Sequence, residues 1–387
     1  MASTPTAPAS CVLACNAGSS SLKLSLFVHD GAGGGRRLLR ASVTLPAGDR
    51  SFAELLREWL LPYPVPDVVL HRVVHAGLVP EQARRLDQQS INCIRHWLPL
   101  APRHNTLTLE LIDAVSEQFP ALAQYAIYDS GPYASLPAVA ARYALSPALS
   151  PQWPLRRYGF HGLAHRNQWR QVQALMAAED RRSTRRLISI HLGSGASVTA
   201  WLDGQAIDTS MGFSPLEGLI MARRSGSIDP GILTHLLLRE GMDAQTLETQ
   251  LHQRSGLQAL VGHDGDMRTI VAEADRLGER SAAAMAIDMY CYQVRKTVGA
   301  FMAALGGVDA ISLGGGVAEH QPRVRAKIFE GMQNLGMTVD PTSNQSRQGA
   351  GAIHAADSRC ALYLTPVNEM DEMLRQYEAI AITPDQQ

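Results

Sequence analysis

The sequence predicts an α/β protein made of two similar domains. Three observations carry that prediction. Apolar strand patterns alternate with helical ones along the 387 residues. A unit of strand, small-residue turn and strand occurs twice, as CVLACNAGSSSLKLSLFV from residue 11 and RLISIHLGSGASVTAWL from residue 186. Small-residue loops also follow several strands, as NAGSSS, HLGSGAS and LGGGVAE. Such loops let backbone N–H groups approach phosphate oxygens closely, so their recurrence in one α/β chain points to a nucleotide triphosphate.

Taken in order, the first ten residues, MASTPTAPAS, read as a disordered lead-in without the charged and apolar regions of a secretory signal. CVLAC is a strand, and LKLSLFV alternates with period two, so the two form a hairpin. DVVLHRVVH (67–75) and LAQYAIYD (122–129) read as buried strands, with a helix at NTLTLELIDAVSEQF (105–119). RLISIHL (186–192) and SVTAWL open the second unit. A helix is expected over about 279–305, a strand at DAISLG (309–314), and a last strand at CALYLTP (360–366) before a final helix. The segment SPALSPQWPL (146–155) holds three prolines and is the expected boundary. One domain then spans 11–152 plus 370–387, and the other 153–369.

Net charge is −1 and 45% of residues are hydrophobic, which fits a globular core and argues against a dedicated nucleic-acid or membrane-surface binder. The 35 basic residues include only three lysines (Lys23, Lys296, Lys327), which reads as coding bias. No apolar run reaches the roughly 18–20 residues of a membrane span. The five cysteines form no CxxC pair, so free thiols and a cytoplasmic location are expected. GxxxxGK[ST], a strand-to-helix GxGxxG, HExxH and GxSxG are all absent.

The stretches CNAGSSSLKLSLF (15–27), HRVVHAG (71–77), LAPRHN (100–105), YDS (128–130), RRYGFHG (156–162), HLGSGAS (191–197), DTSMGFSPLEGLIM (208–221), RSGSIDPG (224–231), SGLQALVGHDGDMR (255–268) and PVNE (366–369) run in an order that resembles the acetate and propionate kinase family. That family lies within the sugar kinase, Hsp70 and actin superfold. The resemblance implies two duplicated ribonuclease-H-like domains around a central cleft, usually in a homodimer. It also implies reversible ATP-dependent phosphorylation of a short carboxylate, with magnesium or manganese. The physical requirement can be stated separately. A carboxylate is already ionised at pH 7, so the obstacle is the approach of one anion to another.

By the same resemblance, Arg72 and Arg224 bind the carboxylate and the phosphoryl group, a task suited to guanidinium forks. His161 hydrogen-bonds the phosphoryl group, and Asp129 lies near the acyl and metal sites. Asn16 and Glu369 hold the metal. Val74, Phe160 and Pro215 line the acyl pocket, with Arg103 among them. His191, Gly193, Ser194, Gly195, Asp266, Met267, Arg268 and Gly314 to Gly316 meet the nucleotide, while His104 has a supporting role.

The chain departs from the family pattern at several places. Arg103 stands where a leucine is usual, which favours a more polar or dicarboxylic substrate as a second reading. Pro132, Tyr133, Leu163, Ala164, Ser194, Ala318 and His320 also replace usual residues, which bears on rate and nucleotide preference. A nucleotide-binding regulatory protein without phosphotransfer is a third reading, and a simple phosphatase or ATPase a fourth.

Overall fold

The computed structural model describes residues 11–18, 21–29, 36–44, 52–60, 62–179 and 184–382. The expected disordered lead-in and the Ser19–Ser20 tip of the first turn lie outside the described residues. The chain divides into two compact units, one of Met1–Ala134 with Asn368–Gln387 and one of Ser135–Val367.

In the first unit the strands are β1 (Cys11–Ala17), β2 (Ser21–His29), β3 (Arg36–Thr44), β4 (Val68–Val73), β5 (Arg84–Arg85) and β6 (Ala123–Tyr128). They form a mixed sheet in the order β3-β2-β1-β4-β6-β5. The second unit has β7 (Arg186–Leu192), β8 (Ala196–Leu202), β9 (Gln205–Thr209), β10 (Ala310–Gly314), β11 (Gly351–Ala352) and β12 (Ala361–Leu364). Its order, read from the β9 side, is β9-β8-β7-β10-β12-β11.

The two orders superimpose strand for strand. In each, a hairpin pair is antiparallel (β1 with β2, β7 with β8) and the leading strand runs parallel to its other neighbour (β4 or β10). The expected duplication is therefore present in the topology. Parallel strands read as near-continuous apolar runs because both faces are covered, and VVL of β4 and LISI of β7 are buried throughout.

On one side of the first sheet, Leu13, Cys15, Leu24 and Val69 pack with Leu111 and Val115 of the helix Pro102–Gln118. The terminal helix Glu369–Ile382 returns to β1, β4 and β6 of this unit, as expected, and Tyr377 meets Tyr125 at 5.1 Å between ring centroids. In the second unit the helix Ala282–Leu305 is capped by the Ser281 hydroxyl, which accepts from the Ala284 amide, and ends at Gly306 in the left-handed region.

The proline segment 146–155 is not where the units divide, for it lies inside the second one. Its flanks are tied there by the Arg142–Arg156 bridge, by the Arg157 amide to the Ala141 carbonyl, and by the Tyr143 hydroxyl, which accepts from the Phe213 amide. The prolines mark turns within a segment already anchored. No helix among the described residues is long and apolar enough to cross a membrane.

Candidate active site

In the first unit, β4 carries Arg72, largely buried in a strand whose other residues are apolar except for His71. A lone charge there would be costly, and three neighbours answer it. Its Nη2 donates to Asp129 Oδ2 at 2.7 Å, and its Nη1 donates to Asn16 Oδ1 at 3.0 Å and lies 3.6 Å from Glu369 Oε2. Asn16 Nδ2 also donates to Glu369 Oε2 at 2.7 Å.

Burial works against the Arg72 charge, but Asp129 and Glu369 outweigh it and hold the guanidinium above its ordinary value. Parallel pairing supplies the positions: β1 lies beside β4, β4 pairs Val73 with Tyr128, and Asp129 follows directly at the strand end, its amide donating to the Val73 carbonyl. Arg72 is thus shared between two carboxylates, Asp129 and Glu369. A divalent cation there would add positive charge where an anionic substrate approaches. The donors are all oxygens of the kind magnesium prefers, although among the described residues no three His, Cys, Asp or Glu side chains converge to hold a metal.

Val74 is buried next to this strand end, and His104 sits in the first turn of the helix Pro102–Gln118. Arg103 belongs to the same turn, but its side chain lies outside the described residues. The nearby His75 is stacked on Trp97 at 5.0 Å, and burial pushes it and His71 down to about 4.

In the second unit, His161 has φ 59°, one of two described non-glycine residues with positive φ. Such backbone is uncommon and tends to mark functional sites. His161 occupies the cap position of the helix Gly162–Ala178, yet its side chain caps nothing there. Instead Nδ1 lies 2.8 Å from Ser197 Oγ on β8. A Cβ added at Gly195 would fall 3.0 Å from His161 Cε1, 3.1 Å from its Nε2 and 3.9 Å from Arg224 Nη1. His161, Gly195 and Arg224 therefore meet at one point. Arg224 Nη1 also donates to the Pro215 carbonyl at 3.1 Å, and the His191 ring lies 4.8 Å from that of His161. Phe160, the residue before His161, is buried.

The expected nucleotide loops are laced together. The Gly193 amide donates to the Gly195 carbonyl at 2.8 Å, and the Ala222 amide donates to the Ser194 carbonyl at 3.2 Å. Gly265 packs so tightly on Ala222 that a Cβ would lie 2.4 Å from its carbonyl oxygen. Asp266 begins the helix Met267–Leu277, where its carboxylate accepts from the Arg268 amide and binds the Arg268 guanidinium. A polar cavity of about 360 Å³ lies alongside, lined by Arg223, Arg254, His263 and Asp264.

Three expected residues have plainer reasons for their identity. Met267 is buried in the helix packing. At Gly314 a Cβ would lie 2.3 Å from Gln168 Nε2 and 2.4 Å from the Thr365 carbonyl oxygen, so the glycine is required by packing. The Gly315 amide is taken by Glu319 Oε1 at 3.0 Å, which also accepts from the Val367 amide. Of that triplet, Gly316 has open space around it.

Motif reading missed Ser197, Glu319 and Arg325. Arg325 is 1% exposed and has no acidic partner among the described residues; its Nε donates to Asn344 Oδ1 at 2.7 Å and its Nη1 to the carbonyls of Ala318 (2.6 Å) and Glu319 (3.1 Å). Burial lowers its affinity for the proton. Its one sequence signal is an arginine flanked by apolar residues in RVRAKIF.

A profile described as the Acetokinase family matches residues 65–375. An acetate kinase of Sulfurovum sp. is 39% identical over 316 residues, covering 81% of this chain and 78% of that protein. One of Streptomyces coelicolor is 37% identical over 397 residues, covering 95% and 96%. Among solved structures, the acetate kinase of Porphyromonas gingivalis aligns with a TM-score of 0.82 at 30% identity, over 96% of this chain and 99% of that one. A propionate kinase of Francisella tularensis aligns with a TM-score of 0.83 at 28% identity, again over 96% and 99%.

Proposed function

This chain belongs to the acetokinase family, and we propose on that footing how its residues phosphorylate a short-chain carboxylate with ATP. The enzyme is a phosphotransferase with a carboxyl acceptor, and it uses ATP and a divalent metal. Acetate is the favoured acid and propionate the next. The observation that carries the reading is the Arg72 cluster: a guanidinium in an apolar strand, held by Asp129, Asn16 and Glu369.

The first unit receives the acid. Arg72 is the carboxylate-binding cation, and Val74 offers an apolar surface to a short tail. Asn16 and Glu369 hold magnesium, with Asp129 beside them. When bound, the ion neutralises negative charge on the reacting phosphate oxygens. The second unit receives the nucleotide through the loops at Gly193–Gly195 and Asp266–Arg268. His161 donates a hydrogen bond to the phosphoryl group and Arg224 supplies positive charge. Phe160 and Pro215 exclude water. No general base is needed, because the acid arrives ionised, so these groups act by positioning and electrostatic stabilisation.

The chain forms a homodimer through the second unit. Supporting this, Met285, Met289 and Tyr292 form an exposed stripe at helical spacing, and Ile232, Leu237 and Leu238 are exposed on the helix Pro230–Leu238. Light scattering of the purified protein reads this directly.

The activity is tested by trapping acyl phosphate with hydroxylamine. Acetate and ATP should give the hydroxamate, and Arg72→Ala or Arg224→Ala should abolish it. ATP hydrolysis that ignores every added acid would overturn the reading.

A further inference from the structure

Behind His161 lies a continuous chain of hydrogen bonds. His161 Nδ1 is 2.8 Å from Ser197 Oγ, and Ser197 Oγ is 2.8 Å from His165 Nε2. His165 Nδ1 is 2.7 Å from Ser189 Oγ, which accepts from Trp201 Nε1 at 2.8 Å. Ser197, His165, Ser189 and Trp201 are each 0% exposed. Register brings them together: Ser189 on β7 pairs with Thr199 and His191 with Ser197, while His161 and His165 sit one helical turn apart.

The chain has a direction because one end can only donate. An indole N–H has no acceptor capacity, whereas hydroxyls and neutral imidazoles can do either. Ser189 Oγ receives the indole proton, and its other side-chain partner among the described residues is His165. If Ser189 also accepted from His165, its own proton would be stranded in the core with no acceptor, which burial away from water penalises. Ser189 therefore donates to His165 Nδ1. His165, kept neutral by burial and by the nearby His191, then carries its proton on Nε2 and donates to Ser197. Ser197 has one proton left to give, and it goes to His161 Nδ1.

We propose that Trp201, acting through Ser189, His165 and Ser197, is the positioning residue that fixes His161 as the Nε2–H tautomer. The inference deepens the kinase reading and rests on it for its purpose: Nε2 is the ring nitrogen on the Gly195 side, beside Arg224. His161 thus presents an N–H donor to an anion, not a lone pair. Taking up a proton at Nδ1 would require the Ser197 hydroxyl to turn round, so the relay also resists conversion of His161 into an acid. The tautomer of a histidine is set by what its other nitrogen bonds.

The test is long-range ¹H–¹⁵N correlation on histidine-labelled full-length enzyme, with the His161 signals assigned by their loss in His161→Gln. Wild type should show a protonated Nε2 and an unprotonated Nδ1 at His161. Trp201→Phe removes the donor but keeps a ring, and should give a mixture of both tautomers. Ser189→Ala, a smaller change in case the buried indole is needed for folding, should do the same. A wild-type His161 protonated on Nδ1, or a folded Trp201→Phe or Ser189→Ala variant with an unchanged tautomer, would overturn the proposal. The spectrum needs no turnover. An enzyme that keeps the Nε2–H tautomer yet phosphorylates no acid would therefore defeat the kinase reading and leave the relay standing.

Discussion

Gly195→Ala is the sharpest test of the site in the second unit. Gly195 does not need positive φ, so an alanine fits its backbone without strain. The effect is purely steric. The new methyl would lie 3.0 Å from His161 Cε1 and 3.1 Å from Nε2, against roughly 3.5–4.0 Å for relaxed carbon contact. About half an ångström must be found. His161 cannot easily give it, because Ser197 holds Nδ1 at 2.8 Å and the residue caps a helix in left-handed backbone.

The methyl also takes up the point where His161 and Arg224 meet. A misplacement of this order, at groups meant to act on one phosphoryl, should lower kcat by about 10- to 100-fold, or roughly 1.4–2.7 kcal/mol of barrier. The assay is hydroxamate formation over a range of ATP and acetate, with the melting temperature as a check on folding. Gly299→Ala is the control. It lies mid-helix with nothing within 4 Å of its would-be Cβ, so activity should hold while stability rises by about 0.5–1 kcal/mol. A Gly195→Ala enzyme with wild-type kcat would refute the idea that His161 and Arg224 act at that point.

Two further outcomes follow from buried groups. Arg325→Leu strips the partners from the Ala318 and Glu319 carbonyls; it should cost about 2–4 kcal/mol by denaturant titration and raise KM for ATP while leaving KM for the acid alone. His71 and His75 titrate near 4 when folded against 6.5 as the ordinary value, so between those values the unfolded chain binds more protons. Their contribution is complete above about pH 6.5 and is lost as pH falls toward 4, up to about 3 kcal/mol each. Urea midpoints should fall over that window, and His71→Gln should flatten the slope; an unchanged slope would count against a buried neutral His71.

Much of the architecture was legible. Period-two and apolar runs located β1, β4, β6 and β10 to within a residue or two and β7 to the residue, because a strand covered on both faces has little freedom of composition. Arg72 stood out as a charge in an apolar strand. What stayed hidden depends on register. That Ser197 and Ser189 bracket His165 follows from how β7 and β8 pair and how a helix lies over them, which no single motif encodes. Glu319 and Arg325 act on backbone atoms, whose positions a sequence does not announce. The prolines of 146–155 misled because they mark turns, and whether a turn separates units depends on what its flanks bond to.

The last helix begins at Glu369 and lies on β1 and β4, strands synthesised more than 290 residues earlier. The first unit is thus closed by a helix that the chain makes only after the whole of the second unit. On the ribosome it must wait, lacking both that covering layer and Glu369, until the helix Glu369–Ile382 has been made. A product cut short before that helix would emerge with Arg72 deprived of one carboxylate and with apolar β1 uncovered, a form suited to degradation rather than catalysis.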